Sequence, residues 1–119
     1  MSQERRRAPR ISERVSVEIS DATAECRTET TNISTVGAYC TLDRFIAPMT
    51  KLQLEFEVPN GPRHVRIRCE GVVVRAEPVV ESSERGRYHI AIFFSEMTDR
   101  GRAVISQFVR ERLSAGSSQ

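Results

Sequence analysis

Residues 51–58, "KLQLEFEV", put Leu52, Leu54, Phe56 and Val58 on one side of an extended chain and Lys51, Gln53, Glu55 and Glu57 on the other. A period of two cannot fall on one face of a helix, so this segment is a strand with one wet side and one side facing a core. The same period recurs along most of the chain. Val15, Val17 and Ile19 alternate with Ser16 and Glu18. Residues 24–31, "AECRTETT", are polar and threonine-rich and read as a strand near an edge, with Cys26 among its few inward residues. "AYCTL" is a short strand beginning where Gly37 ends a turn. "PNGP" at 59–62 is turn chemistry, because Asn60 and Gly61 accept positive φ and the flanking prolines cannot continue a ladder. The return strand, residues 63–77, alternates through Val65, Ile67 and Cys69, meets Gly71 and resumes with three valines. A glycine inside a long strand marks a bulge or bend of the kind that barrel closure requires. Residues 78–87 are a loop. "YHIAIFF" then places Tyr88, Ile90, Ile92 and Phe94 on one face and His89 and Phe93 on the other.

Beyond Phe94 the period changes. Met97, Gly101, Val104, Ile105, Phe108, Val109 and Arg112 form a helical stripe, with Ser95 or Thr98 as the N-cap. Six antiparallel strands with short turns and one late helix predict an all-β fold with a C-terminal helix. The expected architecture is a small six-stranded antiparallel β-barrel with the helix packed against it, since closure removes exposed strand edges. At 119 residues the chain is one domain. It divides into a flexible arginine-rich arm (1–14), the barrel with its helix (15–113) and a disordered tail (114–119).

The sequence offers little for catalysis. His64 and His89 lie opposite the apolar face, and there is no G-x-S-x-G elbow, H-E-x-x-H or Walker loop. The expectation is a protein that is not an enzyme, with no catalytic residue, no metal and no cofactor. Cys26, Cys40 and Cys69 are odd in number and widely spaced, and they read as buried free thiols in strands rather than as a disulfide framework or zinc site. No apolar run approaches the roughly 18 residues of a membrane span, and no apolar stretch follows the basic start. The expected location is the cytoplasm, away from membranes.

The remaining signal is where the cations sit. Net charge is only +2, yet "RRRAPR" places four arginines in residues 5–10 before any core-forming segment, and Lys51 is the only lysine. Guanidinium is planar, permanently charged and forked, which suits phosphates and guanine edges better than ammonium does. Pro9 keeps residue 8 extended, so Arg6 and Arg10 project from an arm that can wrap a ligand. Downstream, "NISTVG" at 32–37 alternates Asn32 and Ser34 onto one face of a strand end, beside Gly37, which lets the backbone turn or a ligand approach closely. Alone, the first stretch reads as a solvated basic arm and the second as a side-chain-stabilised turn.

Together and in this order, an R-x-x-x-R arm followed by (D/N)-x-S-x-x-G in a β-rich chain resembles the PilZ domain family, whose members bind the bacterial second messenger cyclic di-GMP. The likeness extends through "CEGVVVRA", "GRYHIAIFF" and the closing helix, over residues 4 to about 113. The resemblance implies that Arg6 and Arg10, with Arg5 as a third contact, grip guanine edges and phosphates. It implies that Asn32 and Ser34 hydrogen-bond the guanine edge and phosphate region while Gly37 keeps the surface open. Asn32 stands where aspartate is commoner; it still accepts hydrogen bonds, without charge assistance. Arg75 and Arg87 could also face the ligand across the barrel surface, but their spacing gives no strong reason for it, and both read as solvated surface residues.

The implied function is a cyclic di-GMP receptor or adaptor. Its arm orders over the nucleotide and changes the surface shown to an unidentified effector protein, in control of motility, surface polysaccharide or biofilm. Two other readings stand beside it. One is a PilZ-like protein-interaction module that no longer binds nucleotide, although such members generally lack the motif arginines. The other is a small barrel that binds nucleic acid through its arm, for which only Tyr39, Phe45 and Phe93 could act as stacking platforms.

Overall fold

The computed structural model describes residues 8–80 and 86–117. Its elements are β1 (Ser16–Ser20), β2 (Glu25–Ile33), β3 (Gly37–Leu42), β4 (Lys51–Asn60), β5 (Arg63–Pro78), β6 (Tyr88–Met97) and α1 (Asp99–Ser117). The six strands close into an antiparallel barrel in the order β1-β2-β3-β6-β5-β4. The period-two pattern is the cause. Val17, Ile19, Leu52, Leu54, Phe56, Val58, Ile90, Ile92 and Phe94 are all buried, and each lies in the inward phase of its strand. Phe56 and Phe94 meet edge to face, ring centroids 5.4 Å apart. Gly61, φ 64°, makes the tight turn between β4 and β5.

Thr98 is the helix cap: its Oγ1 accepts a hydrogen bond from the Gly101 amide at 3.0 Å. Ser95 belongs to β6 and donates to the Glu70 carbonyl. Helix α1 sends Ile105, Phe108 and Val109 into the barrel's core cluster and packs on β4 and β5. It continues through Ser114–Ser117, where a disordered tail was expected, because Ala115 supports helix and nothing breaks it at Leu113.

The packed body also begins earlier than residue 15. Ile11 is buried and pairs with Ile33 through both backbone bonds, at 3.0 and 2.9 Å. Buried Thr30 then knits the chain down behind it, accepting from the Val15 amide at 3.0 Å and donating to the Glu13 carbonyl at 2.6 Å. A single isoleucine between Arg10 and Ser12 shows no period, so the anchor was invisible to pattern. Residues 1–7 of the expected arm lie outside the described residues.

Two register slips decide what the barrel shows to solvent. In β2, the inward run Cys26, Thr28, Thr30 would carry Asn32 into the core. A bulge between Thr30 and Asn32 against β3 turns Asn32 outward and buries Ile33 instead. In β5, the inward run Ile67, Cys69, Val73 would bury Arg75. A slip between Val73 and Arg75 against β6 leaves both Val74 and Arg75 exposed. The slip foreshadowed by Gly71 is also present, between Glu70 and Gly71.

The outer face over β1, β2, β4 and β5 is covered with ion pairs, among them Glu18 with Arg27, Glu55 with Arg66 at 2.8 Å and Glu55 with Arg68 at 3.5 Å. Exposed pairs of this kind contribute about 0–1 kcal/mol each and keep the sheet solvated. Cys40 and Cys69 are buried, and burial pushes both thiols up to about 12; Cys26 is half-buried and free.

Asp21 governs the β1–β2 turn. Its carboxylate accepts from the Thr23 and Ala24 amides at 2.8 and 2.9 Å, from the Thr23 hydroxyl, and from Arg44. The backbone amides lead in lowering its pKa from 3.8 to about 2. A depressed carboxylate contributes stability that is present above its unfolded pKa and lost as pH falls through the folded one. Thermal melts should therefore show the wild type losing stability from about pH 4 down to about pH 2, while Asp21→Asn starts lower and changes less across that window. Parallel pH profiles for the two proteins would contradict this.

Candidate ligand-binding surface

The arm and β2 run side by side, because Ile11 bridges Ile33 and Thr30 holds Val15. That pairing sets Arg10 next to Asn32, and the Arg10 Nη1 donates to Asn32 Oδ1 at 2.9 Å. The Arg10 guanidinium carbon stands 4.8 Å from the centre of the Tyr39 ring. Asn32 pairs with Tyr39, Tyr39 with Ala91, and Ala91 with Arg75. One straight row thus crosses β2, β3, β6 and β5, three strand spacings of about 4.8 Å.

The small Ala91 lets Arg75 reach over it. Arg75 Nη2 donates to the Tyr39 hydroxyl at 3.1 Å, with its guanidinium carbon 5.8 Å from the ring centre. Tyr39 is therefore held by two cations, each such contact contributing about 0.5–1 kcal/mol at an exposed site. Arg75 is partly balanced by Glu77, 3.7 Å away. Among the described residues Arg10 meets no carboxylate, and its partner Asn32 is neutral, so its charge stays available to an anion. Flat forked cations around an aromatic ring suit a ligand with planar rings and negative oxygens.

Ser34 and Gly37 are placed differently from Asn32. Ser34 is fully buried: its Oγ accepts from the Val36 amide at 3.1 Å and donates to the Gly37 carbonyl at 3.4 Å. It does not share an outer face with Asn32, because the bulge makes Ile33 the inward residue and the chain turns immediately after it. Its hydroxyl holds the β2–β3 turn in shape. Gly37 is required by strand packing, since a Cβ there would lie 2.4 Å from the Ile92 carbonyl oxygen. The turn is also tied to the helix: Arg102 Nη1 donates to the Thr35 carbonyl at 2.6 Å, and Arg112 Nε lies 3.2 Å from Glu13 Oε2 beside the arm. Helix α1 thus holds both chain segments that build the site.

Arg5 and Arg6 lie outside the described residues. Arg87 donates to the Thr41 carbonyl at 3.3 Å. Sequence reasoning missed Tyr39 as a partner of Arg10, and it read Arg75 as surface without its contact to Tyr39. The available signal was the run of three valines before Arg75, too long for clean alternation and hence a second place for a slip. Among the described residues no group of His, Cys, Asp and Glu could hold a metal ion, and no helix is long and apolar enough to cross a membrane.

A closed six-stranded antiparallel barrel with one C-terminal helix packed on its wall is the architecture of a PilZ domain. The profile of that family matches residues 4–111, and the chain belongs to the PilZ domain family. No curated protein is matched by sequence. Among solved structures, the chain is similar to the Bacillus subtilis inhibitor of motility MotI/DgrA (TM-score 0.78, 24% identity, 92% of this chain and 52% of that one). It is also similar to MrkH of K. pneumonia (TM-score 0.73, 12% identity, 100% of this chain and 53% of that one). A third likeness is to the PilZ domain of Escherichia coli YcgR, solved with c-di-GMP (TM-score 0.62, 13% identity, 97% and 99% of the two chains). The chain spans about half the length of the MotI and MrkH chains.

Proposed function

We propose that this protein is a receptor for cyclic di-GMP, bound on the Arg10–Asn32–Tyr39–Arg75 face. The observation that carries the reading is the Arg10–Asn32 hydrogen bond: two motifs 22 residues apart meet through the very side chains that the family pattern singles out. The ligand is a dianion with two guanines, and a guanidinium can bond guanine O6 and N7 in bidentate fashion or a phosphate with equal ease. Arg10 supplies one such group, and Arg6 and Arg5, earlier in the arm, supply the others. Asn32 accepts from the guanine edge, while Ser34 and Gly37 keep the turn in the shape that presents it. A PilZ domain solved with this nucleotide, that of YcgR, shares the fold.

In this reading the arm upstream of Ile11 orders over the nucleotide, and the altered surface is read by an effector protein. Fixing the arm costs about 1–2 kcal/mol of backbone entropy per residue, which leaves micromolar or submicromolar affinity from a larger gross contact energy. The controlled behaviour is motility or surface polysaccharide. Isothermal titration is the test. Cyclic di-GMP should give saturable heat, and linear guanine dinucleotide much weaker binding. Equal, steeply salt-dependent binding of any polyanion would instead mark a nucleic-acid surface.

A further inference from the structure

The outer face continues past the Tyr39–Ala91–Arg75 row. Two residues along β6, a second row runs Gly37–Phe93–Val72 across β3, β6 and β5, about 6.7 Å away at the rise of extended chain. This row is apolar. Phe93 is 50% exposed, Val74 54% and Val36 38%. The other outward positions of β6 are His89, Ala91 and Ser95, so a half-exposed phenyl ring breaks an otherwise polar or small series.

The same features build both rows. The slip in β5 that turns Arg75 outward also leaves Val74 in solvent beside Val72. The Val36 carbonyl accepts from the Phe94 amide at 2.9 Å, which fixes the turn tip at the level of Phe93. Gly37, opposite Phe93, adds no side chain to the row.

We propose that Phe93, bordered by Val36, Val72 and Val74, is the stacking wall for one guanine of the bound nucleotide; this rests on the cyclic di-GMP reading above. A guanine has polar edges and apolar faces, so cations that hold its edges and phosphates leave the faces in water unless the protein supplies a flat surface. Stacking on an aromatic side chain provides it. A base is favoured over another protein as the occupant because the apolar row abuts the guanidinium row along the same strands, within the span of one nucleotide. Phe93 thereby makes this face prefer a nucleobase over an inorganic or sugar phosphate.

The chain contains no tryptophan, so Phe93→Trp creates a single reporter in the wall itself. On titration with cyclic di-GMP its emission should be quenched along the same isotherm as the calorimetric heat. Phe93→Ala should bind about tenfold more weakly with an unchanged melting temperature, since the side chain lies outside the core. Wild-type heat with no response from Phe93→Trp, or wild-type affinity in Phe93→Ala, would overturn the stacking wall and leave the receptor reading in place. Absence of heat with the wild type would remove the receptor reading, and the wall with it. If Phe93→Ala changes sedimentation but not affinity, the row is an interface between copies and the proposal fails.

Discussion

Arg10→Ala should lower affinity for cyclic di-GMP at least about tenfold, with a melting temperature close to that of the wild type. The magnitude follows from what the side chain offers. A bidentate guanidinium contact to guanine is worth about 1–3 kcal/mol, and tenfold in affinity corresponds to about 1.4 kcal/mol. The fold does not depend on it, because Arg10 is exposed and, among the described residues, holds only the half-buried Asn32 amide and the Tyr39 ring. The anchor of the arm is the next residue, Ile11, through its burial and its pairing with Ile33. Arg10→Lys separates charge from shape: an ammonium keeps the positive charge and loses the planar fork, so it should recover only part of the lost affinity. Asn32 bears on the same balance. A carboxylate there would neutralise Arg10, whereas the amide positions it without cancelling its charge. Calorimetry on the purified variants, with circular dichroism to verify the fold, is the measurement. Unchanged affinity in Arg10→Ala would remove this residue from the binding surface.

Much of this architecture could be read from alternation alone. "KLQLEFEV" became β4 with Leu52, Leu54, Phe56 and Val58 buried, and the change of period after Phe94 became α1 with Thr98 as its cap. What alternation could not reveal were the places where it stops. Asn32 and Arg75 both fall in the inward phase of their strands and face outward only through bulges, which form through pairing with a neighbouring strand rather than through local preference. The same cause hid the Tyr39–Arg75 contact, since it depends on three strands, β3, β6 and β5, lying in one register. Ile11 was missed because one buried residue has no period. For Ser34 and Gly37, motif spacing pointed to the right turn but not to the work each residue does there, which depends on an amide and a carbonyl that only the folded chain brings close.

Gly37 therefore makes a sharp test of how the motif works. If its bareness served only to admit a ligand, Gly37→Ala would fold normally and a larger residue would merely block binding. The structure gives a different origin for the requirement. A Cβ at this position would lie 2.4 Å from the Ile92 carbonyl oxygen and 3.5 Å from the Phe93 Cα. These are backbone atoms of the adjacent strand, held by the β3–β6 ladder, and they cannot swing aside as a side-chain tip can. Relief must come from separating β3 from β6, which weakens the pairing from Gly37–Phe93 to Ala38–Ile92 and shifts the turn held by Ser34 and Arg102. Overpacking costs typically about 1–3 kcal/mol, and more where backbone must move. Gly37→Ala should thus lower stability by about 2–3 kcal/mol, and because the clash is with Cβ itself, Gly37→Val should go only moderately further. Binding would fall in both as a consequence of the displaced Asn32. Denaturant titration of the two variants alongside calorimetry distinguishes the origins: a Gly37→Ala protein of wild-type stability that fails to bind would return the glycine to a purely steric role at the ligand.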